Sequence, residues 1–162
     1  MSTRNKTNTH TETPYEAFKK SQRSWMISAV IIIAVALFMG FGRGKGAVDF
    51  SSSDESISLS AGEEGQKYTL TVRYDETKSF TFVEDLDLGT MVEGQDTDKY
   101  KTGTWENDSY GTYLLCANGD VKCYVVAEMT DGTYKVFNYE SADTTENLAP
   151  ALQEELERQK AE

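Results

Sequence analysis

Cys116 and Cys123 are the residues of this 162-residue chain whose chemistry depends most on how the fold spaces them. They flank the turn-forming pair Asn118-Gly119, so both are expected on adjacent strands of one hairpin, where an oxidising compartment would allow a disulfide. Register decides. With Gly119-Asp120 as the two-residue loop the cysteines face each other; with Asn118-Gly119 as the loop, Cys116 faces Val121 instead. Asn-Gly is the stronger turn, which favours two buried thiols acting as small apolar residues, and two ligands are too few for zinc.

Other catalytic groups are sparse. The single histidine, His10, lies in the N-terminal tail, so no Ser–His or Cys–His pair is expected in the rest of the chain. Carboxylates come in pairs, Glu84 with Asp85 and Asp96 with Asp98, as they must in so acidic a sequence. Asp96-x-Asp98 opens like a calcium loop, but Tyr100 stands where a third oxygen ligand belongs and Lys101 where the turn glycine belongs. The expectation is a protein that is no enzyme, with no cofactor and no metal. Three aromatic residues in and after a long polar connection, Tyr100, Trp105 and Tyr110, are the candidates for an exposed binding face.

Charge divides the chain in two. Residues 1–46 carry seven Lys or Arg against two Glu, a balance of +5, whereas residues 47–162 carry nine against 25 acidic residues, a balance of −16. So negative a domain repels phosphate backbones, and nucleic acid is excluded as a partner.

Between Arg23 and Arg43 lie 19 uncharged residues, Ser24 to Gly42. As a helix they would reach about 28 Å, close to the thickness of a bilayer's hydrocarbon core, so residues 24–42 are expected to be a transmembrane helix. A cleaved signal peptide is the competitor. Its apolar region is usually shorter and its leader briefer, although Gly44-Lys-Gly-Ala47 does offer small residues for cleavage. An uncleaved anchor fits better. Arg4, Lys6, Lys19, Lys20 and Arg23 precede the apolar run and only Arg43 and Lys45 closely follow it, which places the N-terminus in the cytoplasm and the acidic domain outside the cell membrane.

The remaining elements follow from periodicity. Residues 1–23 read as a cytoplasmic tail whose Thr13-Pro-Tyr-Glu16 starts a short helical stem, and residues 43–55 as a Gly/Ser/acidic linker. From residue 56 apolar residues alternate with polar ones: Ile57 and Leu59, then Tyr68, Leu70 and Val72, then Phe80 and Phe82. A polar connection from Gly89 to about Lys101 precedes a strand near Thr102–Trp105. Three more are expected at about Gly111–Cys116, Val121–Met129 and Thr133–Tyr139, joined by hairpins at Asn118-Gly119 and Asp131-Gly132. That makes seven short strands, a small sandwich or barrel. Leu148, Leu152 and Leu156 then share one face of a C-terminal helix, with Pro150 expected at its first regular turn.

Seven strands and one C-terminal amphipathic helix follow the element order of the pleckstrin-homology superfold. Phe82-Val-Glu-Asp-Leu-Asp-Leu-Gly-Thr90, Tyr100-Lys-Thr-Gly-Thr-Trp-Glu-Asn107, Tyr110-Gly-Thr-Tyr113, Tyr124-Val-Val126, Asp131-Gly-Thr-Tyr134 and Val136-Phe-Asn138 resemble the PH-like domains of small membrane proteins of Gram-positive bacteria. The resemblance covers about residues 55–158. It implies a mostly β fold class, a PH-like seven-stranded barrel over residues 56–160 capped by its C-terminal α-helix. Phosphoinositide-binding members of the superfold carry basic residues between their first two strands. Glu63 and Glu64 stand there in this chain, so no phosphoinositide binding is expected.

The function these features suggest is a single-pass, membrane-anchored, non-enzymatic module that displays an acidic domain for a protein or peptide partner. An accessory subunit acting mainly through its transmembrane helix, with Ser28, Ala29, Ala34 and Ala36 as packing residues, is the alternative. An enzyme working by carboxylates alone ranks last.

Overall fold

The computed structural model describes residues 47–161. The chain first forms an antiparallel meander of β1 (Val48–Ser52), β2 (Ser56–Ala61) and β3 (Tyr68–Arg73). Alternation dictates its inner face. Ile57, Leu59 and Ala61 of β2 and Leu70 and Val72 of β3 are buried, while the intervening residues point away from the core. A short 3₁₀ turn at Tyr74–Glu76 leads into the second sheet.

That sheet has six strands: β4 (Thr77–Glu84), β5 (Thr90–Asp96), β6 (Tyr100–Asn107), β7 (Gly111–Asn118), β8 (Cys123–Met129) and β9 (Tyr134–Phe137). Their spatial order is β4-β8-β9-β7-β6-β5, and every pairing is antiparallel except the parallel one between β7 and β9. One face packs on the meander and on helix α1 (Ala142–Lys160), with Phe80, Cys116, Val125, Ala127, Met129 and Phe137 in that core. The opposite face carries a second apolar cluster of Trp105, Tyr113, Leu115, Ala117, Tyr124, Val126 and Val136, with Leu86 and Leu88 packed against it. Burial on both faces explains why β8 reads as an almost unbroken apolar run.

Helix α1 begins where Ser141 accepts the Thr144 N–H on its hydroxyl at 3.2 Å, a standard N-cap. Thr145, Ala149, Leu152 and Leu156 are its buried face, at spacings of four and three residues. Truncating either Leu152 or Leu156 to alanine would cost about 2–5 kcal/mol, because both side chains are enclosed in the core.

The expected fold class, mostly β with an N-terminal transmembrane helix and a seven-stranded PH-like barrel, is corrected here. The described part is mostly β with one C-terminal helix, and no helix among the described residues is long and apolar enough to cross a membrane. The expected helix at 24–42, the cytoplasmic tail and its stem lie outside the described residues. Among the described residues nine strands replace seven, in a three-stranded and a six-stranded sheet. The additions are β1, within the expected 43–55 linker, and β5, within the expected polar connection. Pro150 does not start the helix but sits inside it, on the exposed side, eight residues after Ala142.

Candidate functional site

The cysteines lie on strands that are not neighbours. Phe137 of β9 pairs with Cys116 on one side and with Val125 of β8 on the other, so β9 separates the two thiol-bearing strands. Cys123 pairs with Glu84 of β4. Neither expected hairpin register occurs, and both thiols are free and buried. Burial pushes the Cys116 thiol up to about 12, far from the range of a nucleophile at neutral pH. Burial also raises Cys123, whose Sγ approaches the Ala142 carbonyl at 3.7 Å.

The three aromatic candidates do not share a face. Tyr100 is buried in the core between the sheets. Trp105 lies in the cluster on the opposite face, its indole N–H donating to the Thr102 carbonyl at 3.2 Å. Lys101 sits over its ring at 5.7 Å from the centroid. Tyr110 is half-buried and packs at a tilt against Tyr134, ring centroids 4.8 Å apart, and edge-on to Tyr113 at 6.3 Å. All three are held by packing; Tyr100 and Trp105 are buried and Tyr110 half-buried. Asp96 and Asp98 are likewise separate in role: Asp96 ends β5 and pairs with Lys101, and no group of three metal-ligating side chains occurs among the described residues.

The sheet edges differ in how they are finished. An unfinished edge offers a row of N–H and C=O groups to any extended chain. Along β4 the Phe80 N–H donates to Gln153 Oε1 at 2.9 Å, and Lys160 Nζ donates to the Lys78 carbonyl at 3.0 Å, so α1 closes that edge. On β3 the Thr71 carbonyl accepts from Lys135 Nζ at 2.7 Å. The apolar residues of β1 face inward, Val48 into the core and Phe50 against Tyr139 at 5.4 Å.

Strand β5 is different. Like β1, it pairs with one neighbour only, and no side chain among the described residues hydrogen-bonds to its backbone; unlike β1, it exposes large apolar side chains. Among the described residues, its Met91 and Val92 are two of the three exposed large apolar side chains, at 38 % and 59 %; Leu114, two strands away, is the third. A register shift between Met91 and Glu93 leaves Val92 as the extra residue of a bulge. On the β6 side, Gly94 and Gly103 lie opposite each other, and a Cβ on Gly103 would meet the Glu93 carbonyl at 2.1 Å. Two glycines therefore let β5 approach β6 so closely.

Comparison of the chain with protein-family models, with curated proteins and with solved structures returns no match. The open edge is a feature that sequence reading missed. Met91-Val92 was its only strand-like signal, and the surrounding Gly, Gln, Asp and Thr residues read as loop.

Proposed function

We propose that this protein is a non-enzymatic interaction module at the cell membrane, whose acidic domain docks a protein or peptide through the outer edge of β5. The observation that carries the reading is the contrast between edges. Side chains from elsewhere in the fold cap β4 and β3, and the equally uncapped β1 turns its apolar residues inward, whereas β5 keeps its backbone open beside two exposed apolar residues. An open, apolar edge is an aggregation liability that soluble domains blunt, so one left in place suits a binding surface. Nucleic acids and anionic headgroups are poor partners for a surface this negative.

Photocrosslinking in intact membranes tests the reading. A crosslinking side chain at Val92 is expected to capture a discrete partner, and one at the exposed Glu154 on α1 is not. Identical capture at both positions, or none at Val92, would sink it.

A further inference from the structure

Resting on β5 as the docking edge, we propose that its occupant is an extended, cationic segment of a partner protein that adds to the six-stranded sheet as a seventh strand next to β5. Register fixes which side chains such a strand would meet. Thr90 pairs with Glu106 and Glu93 with Thr104, so Glu93 and Glu106 are diagonal neighbours on one face of the sheet. Both are exposed, and neither forms an ion pair among the described residues. Asp96, by contrast, already has Lys101. Glu93 lies on the edge strand itself, where alternate side chains of an added strand pass beside it, and lysine or arginine there would meet an unpaired carboxylate.

The same face disfavours other occupants. A second copy would set Glu93 and the rest of a domain carrying a −16 balance against itself. An acidic segment meets the same repulsion. Main-chain hydrogen bonds along β5 would hold the segment, and the carboxylates would select its charge.

The test uses the full chain in detergent and fluorescent peptides of about ten residues, a common strand length. One alternates lysine with threonine and one glutamate with threonine. Two further lysine peptides are N-methylated at the odd or at the even amides. The lysine peptide is expected to bind and the glutamate peptide not. One methylation pattern should abolish binding while the other is tolerated, because only one set of amides faces the sheet. Glu93→Lys and Glu106→Lys, both at exposed positions, should each weaken binding about tenfold with the circular dichroism unchanged. Equal binding of both peptide charges, indifference to methylation, or indifference to both substitutions would overturn the proposal. So would self-association that Val92→Lys abolishes, since the edge would then belong to a second copy. No peptide binding together with a protein captured at Val92 would overturn the cationic segment and leave the docking edge standing; no capture at Val92 would remove the edge itself.

Discussion

Asn138 bonds to the backbone of Asn118 in both directions. Its Oδ1 accepts the Asn118 N–H at 2.6 Å, and its Nδ2 donates to the Asn118 carbonyl at 3.2 Å. The same Nδ2 reaches the Val121 carbonyl at 3.1 Å, and Asn138 is wholly buried. This fastening explains how β9 can lie between β7 and β8 although only residues 119–122 connect those two strands. The short connection crosses the end of β9, and crossing peptides cannot pair in a ladder. One side-chain amide, carrying both a donor and an acceptor, supplies the missing partners.

Asn138→Ala therefore leaves the Asn118 N–H and the Val121 carbonyl without these partners inside the fold, while the Asn118 carbonyl keeps the Val121 N–H at 3.4 Å. At about 1–3 kcal/mol for each buried group so stranded, the loss should be at least about 2 kcal/mol in chemical denaturation. Asn118→Ala should cost only about 1 kcal/mol, because the Asn118 side chain contributes one bond, to the Asp120 N–H at 3.2 Å. Equal losses from the two substitutions would mean that Asn138 does not hold the crossover.

Pro150 offers an opposite expectation. It sits on the exposed side of α1 and cannot donate the N–H that the Glu146 carbonyl would accept in an uninterrupted helix. Proline in a helix interior costs about 3 kcal/mol relative to alanine, so Pro150→Ala should stabilise the protein by about 1–3 kcal/mol. A midpoint unchanged or lowered on thermal unfolding would show instead that the helix needs its bend to lay Leu148, Leu152 and Leu156 on the core.

The same proline marks where local reading stopped short. Sequence rules started the regular helix at this proline, but burial of Thr145, five residues earlier, and of Ala149, just before it, carries α1 through it, starting from the Ser141 cap. Strands β2, β3 and β4 were legible because Ile57 and Leu59, Leu70 and Val72, and Phe80 and Phe82 alternate cleanly with polar residues. Strand β1 was not, since Asp49 and its serines resemble a linker, and β5 was hidden because its residues remain mostly exposed and leave no buried stripe. Asn118-Gly119 did mark a chain reversal. That β9 inserts between the reversing strands is a long-range choice, made by the packing of Val136 and Phe137 on both faces of the sheet, and no local turn signal reports it. The candidate site suffered most. Tyr100 and Trp105 read as exposed because they flank a polar stretch, yet the strands that place them face two separate cores.

Cys116 predicts a pH dependence. Burial alone raises its thiol from an ordinary 9.0 to about 12, so the folded protein disfavours the thiolate that the unfolded chain forms freely. The sign follows from proton binding. Below about pH 9 both states keep the proton and stability is unaffected; between 9 and about 12 the unfolded chain releases it first, and stability falls by about 1.4 kcal/mol per pH unit. Comparing native protein with Cys116→Ala separates this slope from that of Tyr74, which burial also raises, to about 12. The two stability curves should run parallel below pH 9 and converge or cross above it. Curves that stay parallel to pH 11 would mean that the thiol is not shielded.

Gly94 and Gly103 carry the last expectation, and it bears on the proposed docking edge. Both have positive φ, 141° and 102°, in a region that side chains strain to adopt. Space is closed as well. A Cβ at Gly94 would sit 2.0 Å from the Thr102 carbonyl oxygen, and one at Gly103 would sit 2.6 Å from the Gly94 Cα. Backbone atoms cannot swing aside as a flexible side chain can, so the strands themselves must part. Gly103→Ala should therefore loosen β5 from β6, at a cost of about 2–4 kcal/mol if β6 stays paired with β7. Hydrogen exchange reads this directly: amides of Thr90–Asp96 should lose protection in the variant, while those of β8 and β9, flanked on both sides and buried, keep theirs. If β5 is the docking edge, lysine-peptide binding should fall in step with that protection. Intact protection of β5 in Gly103→Ala would show that the backbone can relax around a Cβ, and that the glycine pair is not what holds the edge in place.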